Sequence, residues 1–416
     1  MVLTSIFLAM CLLILFSSFI TLEAIAAIYY ISPTGSDGTG AGTKASPWVT
    51  LAKANTVMKA GDTVYCRGGT YSGQNVIWTA QGTAGNPITI AAYPGETPEF
   101  VKGTGNSTFF FVREGSPDVG ALTFDGLSMR YYNIGLLLRR GGDFIIKNCT
   151  FRDITANTAG AIHTGYTGCA IRDLTIENCY FENIGRLTEI ARDHSFYPSG
   201  SGTHGNIIVR NNYFKDSHGG PALNMIPGTS CNIYNNIFYS TVGVGRQSVY
   251  ITGSPTGGAF NIYNNTFVIN PDGAGTNSWA IKTTYWGGTQ DDITIKNNIF
   301  YYTATNTDPI VTKIGKPNPT MDNNIYFNCS DSNDTGANSF VGNPLFNSIG
   351  KQDFYLQSSS PAIDAGTATL FATKDYKGYS RSYGRGPDIG ACEFTVQLTA
   401  PRGFSLQGFS IISASN

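Results

Sequence analysis

Asn235-Asn236-Ile237-Phe238 is one copy of a four-residue phrase that occurs seven times between residues 148 and 326. The phrase reads Asn, then Asn or Cys, then any residue, then Phe or Tyr. Its other copies are Asn148-Cys149-Thr150-Phe151, Asn178-Cys179-Tyr180-Phe181, Asn211-Asn212-Tyr213-Phe214, Asn264-Asn265-Thr266-Phe267, Asn297-Asn298-Ile299-Phe300 and Asn323-Asn324-Ile325-Tyr326. Their first asparagines are separated by 30, 33, 24, 29, 33 and 26 residues. A repeat of this length predicts a stacked array, in which each unit buries its apolar face against its neighbours.

The residues before each copy alternate between apolar and polar, as in Ile293-Thr294-Ile295-Lys296. Period two with β-branched residues predicts strands that have one buried face. A buried Asn is costly unless its amide is paired, and in a stack each Asn can bond the next coil or a turn backbone. The phenylalanines would form an internal aromatic row. We therefore predict an all-β fold, a right-handed parallel β-helix; the 49 glycines of the chain oppose a helical solenoid.

The ends of the chain differ from the repeats. Residues 2–20 are almost wholly apolar and precede Ala24-Ile25-Ala26, which predicts a signal peptide over residues 1–26. An amphipathic stretch over residues 49–59 ends near Gly61 and predicts a short N-terminal capping helix. Residues 27–395 are predicted to form a single β-helix domain that includes this cap, with coils from about residue 60, and residues 396–416 a flexible tail.

Composition narrows the partners and the compartment. The chain has 416 residues, a net charge of −1 and 13% charged residues. Nucleic-acid-binding proteins carry basic patches, so this charge gives no indication of nucleic-acid binding. The signal peptide predicts a secreted protein, extracellular or periplasmic, with no membrane association after cleavage; we expect a monomer. Cys149 and Cys179 occupy equivalent places in consecutive repeats and would either form a disulfide or stack as buried thiols, the second being favoured.

Both ends of the chain carry a family resemblance. The opening includes Tyr29-Tyr30-Ile31-Ser32-Pro33-Thr34-Gly35 and Arg67-Gly68-Gly69-Thr70-Tyr71, and the closing part includes Gly386-Pro387-Asp388-Ile389-Gly390-Ala391-Cys392-Glu393-Phe394. These segments resemble secreted right-handed β-helix proteins of the pectate-lyase superfamily, especially the family-9 polysaccharide lyases. The resemblance implies activity on a polysaccharide, with calcium held by an aspartate cluster beside a catalytic lysine. This sequence has no such cluster, so we predict no metal site, while calcium stays open if Glu189, Asp193 and Asp216 converge.

Each repeat also contains a second strand after its variable loop. Aligning Ile162, Phe196, Leu223, Val249 and Ile281 as inward residues leaves an outward column of His163, Tyr197, Asn224, Tyr250 and Lys282. The neighbouring positions are small residues, Ala161, Ser195, Ala222, Ser248 and Ala280, which we expect to flank a shallow groove. Such a column would suit an extended polysaccharide, although an ordinary solvated sheet face has the same pattern.

The segment from Glu189 to His218 concentrates further candidates, including three of the four histidines of the chain. We predict Lys282, Tyr250, Tyr197 or His194 as base and acid, and Asn224 and Arg192 as groups that neutralise a substrate carboxylate. His194 and His218, 24 residues apart, would overlie each other on the groove rim. The predicted substrate-binding residues are His163, Lys215, His218, Tyr285 and Trp286.

Three functions are compatible with these residues. A lyase that cleaves a uronate-containing polymer by β-elimination needs a base, an acid and a group to neutralise the carboxylate, and the column offers all three types. A glycoside hydrolase needs two carboxylates about 5–10 Å apart, and no column of acids emerges. A non-catalytic, adhesive β-helix would bind glycans through Tyr197, Tyr250, Tyr285 and Trp286 without any base. The column of basic and hydroxyl-bearing residues favours the lyase.

Overall fold

The computed structural model describes most of the chain between residues 26 and 395. The ranges that it does not describe are 1–25, 105–107, 113–118, 156–159, 165–170, 187–192, 199–204, 219, 226–229, 242–247, 253–258, 272–278, 285–292, 306–310, 315–318, 331–333, 382–383 and 396–416. The predicted signal peptide, apart from Ala26, and the predicted tail therefore lie outside the described residues.

Three parallel sheets make up the body, and their strands are numbered in chain order. Sheet A contains β1 (Ile28–Ile31), β2 (Thr63–Cys66), β5 (Ile88–Ala92), β8 (Leu122–Asp125), β11 (Phe144–Lys147), β14 (Leu174–Glu177), β17 (Ile207–Arg210), β20 (Cys231–Tyr234), β23 (Phe260–Tyr263), β26 (Ile293–Lys296) and β29 (Thr320–Asp322). Sheet B contains β3 (Gly69–Ser72), β6 (Pro98–Val101), β9 (Ser128–Arg130), β12 (Thr150–Ile154), β15 (Tyr180–Ile184), β18 (Tyr213–Ser217), β21 (Ile237–Tyr239), β24 (Thr266–Ile269), β27 (Ile299–Tyr302), β30 (Ile325–Phe327) and β31 (Phe340–Val341). Sheet C contains β4 (Val76–Ile77), β7 (Thr108–Val112), β10 (Ile134–Leu138), β13 (Gly160–Thr164), β16 (His194–Pro198), β19 (Leu223–Met225), β22 (Val249–Thr252), β25 (Ile281–Thr284) and β28 (Val311–Ile314).

Each coil between β2 and β28 contributes one strand to each sheet and pairs in parallel with its neighbouring coils. Ile146, for example, lies opposite Ile176, which lies opposite Val209. Seven strands of sheet A, β11 to β29, lie between residues 144 and 322, so the predicted right-handed parallel β-helix is confirmed. The stacked sheets extend from Ile28 to Val341. They therefore begin before residue 60, where the coils were predicted to start, and end before residue 395, the predicted end of the domain.

The predicted aromatic row runs through the centre of the stack. Rings in adjacent coils from Phe151 to Tyr326 lie nearly parallel, with interplanar angles of 4° to 12° and centroids 4.7 to 5.3 Å apart. Phe151, Phe181, Phe267 and Phe300 are completely buried. These spacings match the separation of neighbouring strands, so identical side chains stack because the backbones do.

The second residue of each phrase forms an internal ladder. In the later coils Asn236 Nδ2 donates to Asn265 Oδ1 at 3.0 Å and to the carbonyl of Val209 at 2.8 Å. Cys149 and Cys179 take the same place in two earlier coils; both are free, buried thiols, as favoured over a disulfide. The ladder thus pairs the side-chain amide of each of these asparagines with the neighbouring coils.

The first Asn of each phrase makes the turn between sheets A and B in the left-handed conformation, with φ of 51° to 58° in all seven copies. Asn is among the few non-glycine residues that adopt this conformation readily. From Asn211 onwards these side chains also bind the backbone of residues 342–395, the C-terminal segment. Asn211 Nδ2 donates to the carbonyls of Asp375 and Tyr376, at 3.0 and 2.9 Å.

The C-terminal segment begins with an antiparallel hairpin, β32 (Phe346–Ser348) and β33 (Asp353–Leu356), and packs on the outer face of sheet B. It buries outward residues such as Ile237, Val268 and Ile299 against Phe354 and Ile389. Arg381 and Glu393 form a fully buried ion pair within it, with Nη1 and Oε2 3.0 Å apart. A second hydrophobic core therefore lies outside the coils.

Helix α1 covers Leu51–Asn55, which is shorter than the predicted stretch over residues 49–59. Thr50 provides its N-cap, because Thr50 Oγ1 accepts from the Lys53 amide at 3.1 Å. Leu51 and Ala54 are buried in the main core. The capping role that we predicted for this helix stays a prediction.

Candidate functional site

The outer face of sheet C brings the predicted column into register. His163 lies opposite Tyr197, Asn224 opposite Tyr250, and Tyr250 opposite Lys282, while Phe196 lies opposite Leu223 and so aligns Tyr197 with Asn224. Adjacent members are one strand apart, about 4.8 Å, so the five positions span roughly 19 Å. That length suits an extended polymer rather than a single sugar.

The small residues beside the column do not form the expected walls of a groove. Ala161, Ala222 and Ala280 are buried in the main core. Gly135 occupies the position of Ala161 in the preceding coil, and a Cβ atom added to this glycine would lie 3.0 Å from the Phe151 ring. This position therefore points into a corner of the core, where only small side chains fit.

His194 forms a buried hydrogen-bonded pair with Asn224, which is itself a member of the column. His194 Nδ1 lies 3.0 Å from the carbonyl oxygen of Pro221, which only accepts, so Nδ1 carries the proton. His194 Nε2 then accepts from Asn224 Nδ2 at 3.1 Å. Both ring nitrogens are engaged and the residue is 2% exposed, so His194 is not placed to act as base or acid, contrary to our expectation.

This bond orients the Asn224 amide. Asn224 is 8% exposed, and its Oδ1 has no hydrogen-bond partner among the described residues. An unpaired buried carbonyl oxygen costs about 1–3 kcal/mol, unless a ligand supplies a donor. The atom of Asn224 that lacks a partner is therefore an acceptor, which does not suit the neutralisation of a carboxylate that we predicted.

Burial sets the charge states along the column. It lowers the pKa of His163 to about 4, with the positive charge of Arg139 contributing, and it lowers the pKa of His194 to about 4. Burial also raises the pKa of Tyr197. Both histidines are therefore neutral, and Tyr197 is protonated, at neutral pH.

Lys282 is the cation of the column. Its Nζ lies 4.1 Å from the ring centroid of Trp279 and 5.4 Å from that of Tyr250. Partial burial lowers the pKa of Lys282. Lys282 and Tyr250 are neighbours, and a lysine with a lowered pKa beside a phenol is a suitable base–acid pair.

Two predicted substrate-binding residues lie elsewhere. Lys215 lies on sheet B, where its Nζ binds Glu182 Oε1 at 2.7 Å. His218 follows the same strand of sheet B and is 7% exposed. In the neighbouring coils, the positions equivalent to His194 are occupied by Gly160 and Pro221. His194 and His218 therefore do not overlie each other. The error has a simple cause, because residues close in sequence between 189 and 218 turn through all three sheets.

The remaining predicted residues, Arg192, Tyr285 and Trp286, lie outside the described residues. Arg139 is a cation that the sequence interpretation missed. It follows β10, its Cζ lies 5.3 Å from the ring centroid of Phe111, and its charge acts on His163. The signal was the pair Arg139-Arg140 after the apolar run Leu136-Leu137-Leu138, one coil before His163.

The acids that could hold calcium are engaged otherwise. Asp193 is fully buried and its Oδ2 lies 2.8 Å from Arg186 Nε, while Asp216 Oδ1 accepts from the Thr241 amide at 2.7 Å. Within the described ranges no three His, Cys, Asp or Glu side chains converge, and Glu189 lies outside those ranges. The described donor set does not fit a carboxylate-held calcium ion.

Comparison with known proteins agrees with the architecture. Residues 29–193 match the family described as Pel9A-like, right-handed β-helix region. This part of the chain is similar to the Pel9A-like β-helix. Pectate lyase PEL9 of Emericella nidulans is 43% identical over 74 residues, which are 18% of this chain and 18% of that protein. The resemblance to the pectate-lyase superfamily is therefore confirmed, while the match spans less than a fifth of that relative.

Solved structures extend the likeness to more of the chain. Pectate lyase Pel9A superimposes with a TM-score of 0.56 at 15% identity, covering 89% of this chain and 97% of that chain. A GH136 lacto-N-biosidase from Eubacterium ramulus gives 0.54 at 15% identity, covering 76% and 68%. An alginate lyase from Paenibacillus sp. str. FPU-7 gives 0.52 at 16% identity, covering 76% and 98%. At these identities the likeness establishes the fold.

No helix in the described part of the chain is long and apolar enough to span a membrane.

Proposed function

We propose that the protein is a secreted lyase that cleaves a uronate-containing polysaccharide by β-elimination on the outer face of sheet C. The observation that carries this proposal is the register of Tyr250 with Lys282 at the end of an in-register polar column. Two of the structurally similar proteins are a pectate lyase and an alginate lyase, which supports the same reaction class.

Distance decides which members of the column share the chemistry. The acid and the base of an elimination act on one sugar linkage, and His163 and Lys282 are roughly 19 Å apart by strand spacing. Only adjacent positions can serve together. We therefore assign the base to Lys282 and the acid to Tyr250, and the binding of flanking sugars to His163, Tyr197 and Asn224.

The reaction then balances as follows. Neutral Lys282 removes the proton from the carbon next to the substrate carboxylate, and the electron pair forms a carbon–carbon double bond. The bond from the neighbouring carbon to the glycosidic oxygen breaks, and the Tyr250 hydroxyl protonates the leaving oxygen. Arg139, five strands from Lys282, would bind the carboxylate of a sugar further along the chain. Arg192 stays our candidate for neutralising the reacting carboxylate.

A second candidate is glycan binding without catalysis. It is favoured by the pairing of Lys282 with the half-buried Trp279 ring, because an indole and a cation together can bind a sugar without any base. A hydrolase has less support, since Asp193, the acid nearest the column in sequence, is buried against Arg186.

The test is to incubate the protein with pectate, alginate and other uronates and follow the ultraviolet absorbance of the unsaturated product. We expect absorbance to rise, and the rate to increase with pH as Lys282 loses its proton. Lys282→Ala should lower kcat by about 10²- to 10⁴-fold. Lys296→Ala, in the same coil but on sheet A, should leave kcat unchanged.

Other outcomes would select the alternatives. Binding of glycans with no absorbance change on any uronate would favour the non-catalytic protein. New reducing ends without that absorbance would favour a hydrolase.

A further inference from the structure

A second groove lies between the outer face of sheet A and residues 371–378 of the C-terminal segment, with a volume of about 720 Å³. Its floor is formed by Glu177, Arg210, Tyr234 and Tyr263, which come from four successive coils in register. None of these residues belongs to the column on sheet C. We propose that this groove, the sheet A groove, binds a segment of an acidic polysaccharide independently of the catalytic proposal.

The tyrosines give the floor its affinity for sugars. The rings of Tyr234 and Tyr263 are parallel within 13° and their centroids are 4.9 Å apart. Because they stack on each other along the helix axis, the rings present their edges and hydroxyls to the groove. Such a surface contacts sugar C–H groups and exchanges hydrogen bonds with sugar hydroxyls. Four floor positions cover roughly 14 Å, which again suits an extended chain.

The net charge of the groove selects an acidic ligand. Arg210 Nε donates to Glu177 Oε2 at 2.7 Å, and Arg210 Nη1 donates to the Tyr234 hydroxyl at 3.0 Å, so this pair is neutral and held in place. Lys374 and Lys377 are exposed on the opposite wall, and neither forms an ion pair with another described residue. Lys377 also borders a neighbouring groove, where its Nζ lies 5.4 Å from the ring centroid of Tyr355, a contact that leaves its charge in place. Two positive charges therefore remain for ligand carboxylates.

Asp375, which lies between these lysines, does not offset them. It is fully buried, and its Oδ1 accepts from the backbone amides of Lys377 and Tyr379 at 2.9 and 2.8 Å. Its Oδ2 accepts from the Tyr355 hydroxyl at 3.1 Å. The carboxylate is thus directed into the segment, and it shapes the loop that displays the two lysines.

The wall is already in place before a ligand binds. Asn211 Nδ2 binds the carbonyls of Asp375 and Tyr376, and Asn235 Nδ2 binds the carbonyl of Lys374 at 2.6 Å. A wall fixed by the fold avoids the entropic cost of ordering a loop on binding. The same turn asparagines that shape the coils therefore also build this site.

The experiment measures oligogalacturonate binding by calorimetry with the full chain carrying Lys282→Ala, so that the sheet C site does not turn the probe over. Adding Lys374→Ala and Lys377→Ala together should weaken binding by about tenfold. Glu177→Gln frees Arg210 and should tighten binding by about threefold. Lys59→Ala, an exposed lysine beyond α1, is the matched control and should leave affinity unchanged.

A neutral galactan oligomer provides the second probe. We expect it to bind more weakly than oligogalacturonate, with no change in the double lysine variant. The proposal is overturned if the double variant binds oligogalacturonate as tightly as its parent. It is also overturned if Lys59→Ala causes an equal loss, or if the neutral oligomer binds as tightly as the acidic one. If the protein shows no lyase activity on any uronate, the catalytic proposal fails but this binding measurement is unaffected. The two proposals can therefore be contradicted independently.

Discussion

The coils that begin at Asn148 and Asn178, the early coils, differ from those that begin at Asn211 to Asn323, the late coils, although all share the same phrase. The early coils place cysteine in the internal ladder and carry the exposed ion pair of Arg152 with Glu182 on sheet B. The late coils place asparagine in the ladder and carry apolar residues such as Ile237 and Ile299 on that face. The turn residue Asn148 binds Asp125, whereas Asn211 binds the C-terminal segment.

The difference teaches that one repeat supports two kinds of surface. Fully burying a residue such as Ile299 stabilises by about 1.5–3 kcal/mol, so the late coils gain from a segment that covers sheet B. The early coils carry charged residues on the outer face of sheet B, so this face is stable in contact with water. The same cover forms one wall of the sheet A groove, so the packing of late coils and the proposed binding function are linked.

The largest effect should come from breaking the buried pair of the C-terminal segment. Arg381→Ala leaves Glu393 buried without its cation and removes donors to Asn235 Oδ1 and to the Gly390 and Ala391 carbonyls. We expect a loss of about 3–5 kcal/mol, measured by chemical denaturation, and rapid proteolysis within residues 342–395. The early-coil control, Arg152→Ala, removes an exposed pair and should cost at most about 1 kcal/mol. Equal losses in the two variants would contradict the comparison.

The internal ladder gives the next largest contrast. Asn265 Oδ1 accepts from the Asn236 amide at 3.0 Å, and Asn265 Nδ2 donates to the Ile233 carbonyl at 2.9 Å. Asn265→Ala leaves these groups unpaired in the core and should cost about 3 kcal/mol. Cys179→Ala, at the same position of an early coil, removes packing and two weak thiol hydrogen bonds to the Ile146 and Glu177 carbonyls, and should cost about 1 kcal/mol. Denaturation midpoints of the two variants test this, and a larger loss at Cys179 would refute it.

The C-terminal segment should weaken as pH rises. Burial, with the nearby Asp388 charge contributing, raises the pKa of Glu393 from 4.5 to about 7. The folded state therefore retains a proton that the unfolded chain loses, so this contribution is complete below pH 4.5 and disappears as pH rises through 7. We expect stability to fall by about 2 kcal/mol between about pH 5 and 8, and Glu393→Gln to abolish that slope.

The matched control for that titration is Glu96 in the N-terminal region. Its hydrogen bond with Arg67 lowers its pKa to about 2, so its contribution is present above pH 4.5 and is lost only in acid. Glu96→Gln should leave the slope between about pH 5 and 8 unchanged. A slope that persists in Glu393→Gln would show that another group is responsible.

The smallest effect concerns the turn residues. Asn211→Gly preserves the left-handed turn but removes the bonds to the Asp375 and Tyr376 carbonyls, and should cost about 1 kcal/mol. Asn178→Gly, whose side chain is exposed, should change stability by only a few tenths of a kcal/mol. Hydrogen exchange of residues 374–378 should quicken only in Asn211→Gly. Equal exchange in both variants would mean that Asn211 does not hold the wall.

Much of the site face could be read from the sequence because period two specifies which residues share a face. Once Ile162, Phe196 and Leu223 were aligned as buried, the column that includes Tyr197 and Tyr250 followed, and the structure has that register. The functional roles in the column stay predictions. What failed was inference from closeness in sequence, since Lys215 and His218 lie within 25 residues of His194 but on another face.

The sequence by itself determined the coil. The repeated Asn supplies both the left-handed turn and the ladder, and the repeated Phe supplies the stack, because these requirements are local to one coil and its neighbours. Only the tertiary structure decided what covers the late coils, that His194 is buried against Asn224, and that Lys374 faces Arg210 across a groove. Those arrangements join residues such as Asn211 and Asp375, 164 positions apart, and no period in the sequence records which distant segment returns to which coil.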